Sequence, residues 1–225
     1  MMSIRLLLIV SALWAPLSQA QVFFSPKVSF ESQDYETDFT SGSYVAPGGG
    51  ITVYNSDGLF LDAEFFRNNG DSEVVGEVTR EETTLTVGTS LGNGFSVFGG
   101  YKIARSLGAN ELTSADLNIK EIEIDTEGVF LGLSKSTPIS EAGSLSFAGA
   151  ISPMDARISQ EVDQIGTELV TEGSAVGISL SAAYNYSITK SWVSSVGYKF
   201  QKFSYGTDIG DETITALFGK LAYRF

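Results

Sequence analysis

Along most of this chain apolar and polar side chains alternate one by one, the period of an extended strand. Phe95, Val97, Gly99, Tyr101 and Ile103 alternate with Ser96, Phe98, Gly100, Lys102 and Ala104. Val176, Ile178, Leu180, Ala182, Tyr184 and Tyr186 alternate with Ala175, Gly177, Ser179, Ser181, Ala183 and Asn185. The same holds from Leu145 to Ile151 and from Trp192 to Gln201. In each run one face is apolar and the other small or polar. Short turn-rich connections (55–58, 91–94, 136–143, 188–191) take turns with longer polar stretches (35–43, 68–82, 106–121, 155–173, 204–212). That rhythm predicts about ten antiparallel strands joined hairpin by hairpin, with tight turns at one end and long loops at the other. Gly48, Gly49 and Gly50 weaken the second run and leave eight strands as an alternative.

The last run decides which face is outward. It ends on Phe225 and sets Leu217, Gly219, Leu221, Tyr223 and Phe225 on one face, with Ala216, Phe218, Lys220, Ala222 and Arg224 on the other. An apolar face that becomes aromatic at the chain end suits lipid, with Tyr223 and Phe225 at headgroup level. Phe95, Phe147, Tyr186 and Trp192 lie beside the short turns, at one expected height, as an interfacial girdle. A soluble β-sandwich would also alternate, but it gives no reason for that girdle. The first residues add a second argument. Arg5, the apolar stretch 6–15, Pro16 and the small-residue site Ser18-Gln19-Ala20 read as a secretory signal peptide over 1–20, leaving 21–225 as a single domain.

Composition then narrows the chemistry. The chain has 0 Cys, so neither disulfides nor a lipid-modified cysteine at the cleavage site is available. A formal charge of -13 leaves no basic patch for nucleic acid. With 0 His and 0 Cys, metals softer than Ca²⁺ or Mg²⁺ lack ligands, and no spacing of acids matches an EF-hand loop. No cofactor is expected. The carboxylates of the long polar stretches, such as Asp34, Glu81, Glu82, Asp125, Asp155 and Glu212, predict acidic outer loops that stay soluble and can meet divalent cations.

Strand parity points Glu31, Asp62, Glu64, Lys102, Lys199, Lys220 and Arg224 into the lumen, with Gln201. Mixed signs in a narrow space predict a salt-bridged plug rather than an open pore. Phe60, Phe66, Phe98 and Phe218, also inward, narrow it further.

The run Gly219, Leu221, Tyr223, Phe225 resembles the C-terminal recognition strand of bacterial outer-membrane barrels, which the barrel assembly machinery reads. With the signal peptide and the alternating strands, the whole mature chain is similar to the small opacity-protein and porin-like outer-membrane barrel superfamily. That resemblance implies an all-β, antiparallel, up-and-down transmembrane barrel in the bacterial outer membrane, with the lipid bilayer and lipopolysaccharide as partners. It implies a non-enzymatic protein with a structural or surface-interaction role. The alternative is a narrow passive channel for small, cationic solutes. The enzymatic members of that class depend on a histidine base, which this chain lacks.

Overall fold

The computed structural model describes residues 21–37, 41–72, 76–114, 117–162, 167–206 and 211–225. The expected signal segment 1–20 lies outside them, as do the acidic residues Asp38, Glu73, Asp116, Asp163 and Asp208. The first five strands are β1 (Val22–Thr37), β2 (Ser41–Asn55), β3 (Leu59–Ser72), β4 (Gly76–Gly92) and β5 (Phe95–Ser114). The second five are β6 (Leu117–Pro138), β7 (Gly143–Val162), β8 (Thr167–Ser187), β9 (Trp192–Tyr205) and β10 (Asp211–Tyr223). Each pairs antiparallel with the next, and β10 pairs with β1 from Lys27↔Ala222 to Thr37↔Glu212, closing the barrel. Closure leaves no sheet edge unpaired, the condition for a sheet standing in lipid.

Tight turns form where the sequence allows positive φ. Asn55 Oδ1 accepts the backbone N–H groups of Asp57 at 3.1 Å and Leu59 at 2.9 Å, and Gly58 follows at φ 87. Gly92, Asn93 and Gly94 take φ 86, 53 and 78, the left-handed region that Gly and Asn tolerate. Gly48, Gly49 and Gly50 do not bend the chain away: they stay in β2, paired with both β1 and β3, so ten strands form and the eight-strand alternative is not realised. Their reason is space. A Cβ on Gly48 would stand 2.4 Å from Phe66 Cδ1, directly across the ladder.

The same device recurs around the lumen. Phe60 lies over Gly88, Phe98 over Gly132, Phe203 over Gly177 and Phe218 over Gly197, each pair opposite in register. An aromatic ring shields the bare backbone of a cross-strand glycine and so fixes register. Outside, Val28, Phe30, Leu131, Leu133, Ile151, Leu180, Val196 and Leu217 are each more than half exposed, an apolar band that a soluble protein would cover.

One expectation fails. The long polar stretches are mostly strand, not loop: 106–121 is largely the ends of β5 and β6, and 155–173 the ends of β7 and β8. The ladders continue beyond the apolar band, where the pattern inverts: Asp155 and Arg157 turn outward while Met154, Ala156 and Ile158 are buried inside. β6 reaches 22 residues and β8 21, against 13 in β10.

Candidate functional site

The lumen gathers ten charged side chains into one network. Lys27 Nζ on β1 lies 2.7 Å from Asp62 and 3.6 Å from Glu64 on β3, and Lys220 Nζ on β10 reaches Glu64 at 2.7 Å. Lys199 Nζ on β9 meets Glu31 on β1 at 2.7 Å, and Lys102 Nζ on β5 meets Glu82 on β4 at 2.9 Å. Arg80 lies 2.8 Å from Glu212 and 3.9 Å from Glu82. Neutral groups join the pairs: Gln33 Nε2 donates to Glu31 at 2.7 Å, and Asn68 Nδ2 donates to Gln33 at 3.1 Å. The Arg80 backbone N–H donates to Asn68 at 2.8 Å, and the Tyr205 hydroxyl donates to Glu212. Bases and acids match in number among the described residues, so the lumen is close to neutral. An unpaired charge in so narrow a space would cost several kcal/mol; paired and hydrogen-bonded, the groups hold the walls together across the barrel.

Exposure falls along the lumen away from the short turns. The Lys220 side chain is 24% and that of Asp62 18% exposed, whereas Glu212 retains 6% and Glu31 2%. Beyond, Met154, Ala175, Phe203 and Ile214 pack into an apolar cluster with Tyr35 and Tyr205 against it. Rings and ion pairs together line the far half among the described residues.

The expected lumen residues therefore separate into two groups. Glu31, Asp62, Glu64, Lys102, Lys199 and Lys220 meet in the network. Arg224 does not: it is exposed past the end of β10, where its backbone N–H donates to Ser191 at 2.8 Å. Its parity was right, but the strand ends before it, so no ladder aims its side chain inward. Glu82 and Glu212, expected on outer loops, are buried lumen residues, and the partner of Lys102 is Glu82. Lys27 and Arg80 were missed altogether. Parity would have found Arg80 and Glu82, which continue the inward series Thr84, Thr86, Gly88.

The residues expected to form the girdle and the assembly signal lie toward the short-turn end. Phe95, Phe147, Tyr186 and Trp192 are exposed on the outer surface. Gly219, Leu221, Tyr223 and Phe225 run down the outer face to the terminus, where Trp192 and Tyr223 cross edge to face at 5.0 Å and Tyr223 and Phe225 at 4.7 Å. The Phe225 backbone N–H donates to the Phe24 carbonyl at 3.1 Å, tying the chain end across the closing seam.

One sector of the lumen is hollow. A cavity of about 240 Å³ is bounded on the β7 and β8 side by Ala148, Ala150, Ser152, Gly177, Ser179 and Ser181, and elsewhere by rings and ion pairs. Nearer the short turns the inner face of this sector is a hydroxyl and amide chain. Asn185 Nδ2 donates to Ser146 at 2.7 Å, Ser146 to Ser136 at 3.2 Å, and Ser195 to Asn185 Oδ1 at 2.7 Å. No group of three or more potential metal ligands occurs among the described residues.

No protein-family model and no curated protein sequence matches the chain. Solved structures do. The outer membrane protease OmpT from Escherichia coli superposes with a TM-score of 0.65 at 11% identity, over 91% of this chain and 96% of that one. The translocator domain of the autotransporter NalP from Neisseria meningitidis superposes with a TM-score of 0.53 at 8% identity, over 96% of this chain and 94% of that one. Identity this low carries fold and not chemistry. By architecture, the chain is a closed ten-strand barrel with the fold of the small bacterial outer-membrane β-barrels.

Proposed function

We propose that this chain is a non-enzymatic integral protein of the bacterial outer membrane whose lumen is sealed and whose work is done at its surfaces. The observation that carries this reading is the matched set of five acids and five bases spanning the lumen, roofed by the Met154, Phe203 and Ile214 cluster. Such filling makes a stiff post of the barrel rather than a conduit. Catalysis lacks its usual instrument, since a chain with 0 His has no imidazole to serve as general base. The long-strand end stands beyond the apolar band and carries the outward carboxylates Glu123, Asp125, Glu127, Asp155 and Glu172, with Arg105 and Arg157 among them. That acidic surface faces the cell exterior in this reading, where it meets lipopolysaccharide and divalent cations, while Tyr223 and Phe225 serve the assembly machinery.

A second reading, a narrow passive channel, draws on the hollow beside β7 and β8. The lumen's matched charges give it no preference for cations, so any such preference would come from the long-strand end. Purified protein inserted in planar bilayers separates the two. The sealed reading expects no unitary current steps at any holding potential that the bilayer survives; reproducible steps would transfer the function to the channel.

A further inference from the structure

One boundary of the barrel is laddered over only part of its height. β2 and β3 pair from Tyr54↔Phe60 to Gly48↔Phe66 and no farther, although β2 reaches back to Ser41 and β3 on to Ser72. The flanking ladders are complete: β1 and β2 pair as far as Glu36↔Ser41, and β3 and β4 as far as Ser72↔Gly76. No other boundary among the described residues leaves both of its strands unpaired for so long. The chemistry of one residue stops the ladder. The Phe65 carbonyl is turned toward β2, 2.6 Å from where a Cβ on Gly48 would stand, so Gly49 and Phe65 are the hydrogen-bonding pair there. The next exchange would use residue 47, and Pro47 has no N–H to give. At this height the outer face turns polar, from Phe30 to Ser32 on β1 and from Phe65 to Arg67 on β3. The ladder is therefore whole within the apolar band, and the open stretch lies above it, where water can meet the freed backbone groups.

Side chains alone hold that stretch shut. The Tyr44 ring lies so close to Gly70 that a Cβ on the glycine would collide with it, and Asn68 Nδ2 on β3 donates to Gln33 Oε1 on β1 at 3.1 Å, passing behind β2. The closure is imperfect. Tyr44 is 6% exposed and its hydroxyl has no hydrogen-bond partner among the described residues, a cost borne by the closed state and relieved when the hydroxyl meets water. We propose that β2 and β3 part above the apolar band as a lateral gate, the laddered pairs β1–β2 and β3–β4 each moving as a unit, with the Tyr44 ring as the latch. Opening admits water from the side to Gln33, Ala46 and Asn68, all buried in the closed barrel. The pairs Lys27–Asp62 and Lys220–Glu64 lie on the fully laddered side of Gly48 and Phe66 and stay in place. The gate is thus independent of whether the lumen conducts from end to end.

The test is the rate at which a hydrophilic thiol reagent reaches single cysteines in the folded barrel, with the compact heat-modifiable gel form checking that each variant is folded. Ala46→Cys stands behind the open stretch, and Ala104→Cys on β5, laddered on both sides, is its control; the two alanines are 1% and 2% exposed. Ala46→Cys should react about tenfold faster or more, as a local opening that Ala104→Cys does not share. Adding Tyr44→Phe, which keeps the ring and removes the unmet hydroxyl, should slow Ala46→Cys several-fold, and adding Tyr44→Ala should speed it. Hydrogen exchange on the unsubstituted barrel needs no variant to fold. The amides of Ser43 and Val45, which alternation turns toward β3, should exchange about tenfold faster or more than those of Tyr44 and Ala46, which it turns toward β1. The proposal is overturned if Ala46→Cys and Ala104→Cys react alike, or if Tyr44→Phe leaves the Ala46→Cys rate unchanged or raises it. It is equally overturned if the four amides exchange at one rate.

Discussion

The lumen has two walls that follow opposite rules. β1, β3, β4, β5, β9 and β10 supply every charged side chain of the described lumen, tied in pairs that cross from strand to strand. β7 and β8 supply Ala, Ser and Gly at the same inward parity and leave a cavity. Both walls are compatible with the same hydrogen-bonded ladder, because a closed barrel gets its cohesion from backbone pairing and leaves the interior free to vary. The difference shows what inward charge does here. It fills space only where an opposite charge stands within reach, and so it couples distant strands, as Arg80 on β4 couples to Glu212 on β10 at 2.8 Å. Small residues leave room, and where they couple strands, as Ser146 does with Ser136 and Asn185, they reach only their neighbours.

The largest expected effect breaks that coupling. Arg80→Ala removes the partner of a buried Glu212 and should cost about 3–5 kcal/mol, read as a lower temperature for loss of the compact heat-modifiable form. Arg80→Met combined with Glu212→Met should recover most of the loss, since an apolar pair replaces an ionic one without orphaning a charge. On the hollow wall, Ser179→Ala should leave that temperature unchanged.

A smaller effect distinguishes the two faces of one strand. Leu180 is 54% exposed on the outer face of β8, so Leu180→Arg should cost roughly 2–4 kcal/mol near the bilayer midplane. Ser181→Asn, one residue on, turns an uncharged side chain into the cavity and should cost less. Equal costs, measured by urea unfolding in the same lipid, would contradict the assignment of faces.

Smaller again is the contrast between glycines. Gly48→Val drives a side chain into Phe66 and should cost roughly 1–3 kcal/mol by overpacking. Gly219, where a Cβ would meet nothing within 4 Å, should accept Ala within about 0.5 kcal/mol. A Gly48→Val barrel as stable as the parent would show that Phe66 moves freely, and the ring-over-glycine account of register would fail.

How far the sequence could be read follows the same division. Strand number, closure and the outward face were legible because lipid on one side and a packed lumen on the other enforce strict alternation, as in Val176 to Tyr186. The ends of β3 to β8 were not, because past the apolar band the outward residues become Arg67, Glu81, Arg105, Glu123 and Asp125, with Ala156 and Ile158 inside, which reverses the polarity of the two faces. That is why Glu82 and Glu212 read as loop acids while the fold buries them. The pairing itself was also illegible. Lys199 and Glu31 are 168 positions apart, and only closure of β10 on β1 brings their neighbourhoods together. The cavity is an absence of bulk, and the small inward residues of β7 and β8 announced it without showing whether a neighbour would fill it.

The most direct measurement uses the chain's lack of cysteine, which lets a single introduced thiol report alone. Ser29 faces the charged wall, is 4% exposed and has its hydroxyl 3.5 Å from Glu64; Ser179 faces the cavity. With a small uncharged thiol reagent added to the folded barrel, Ser179→Cys should react rapidly. Ser29→Cys should react only on unfolding. Equal rates at the two positions would contradict the account of one filled wall and one hollow one.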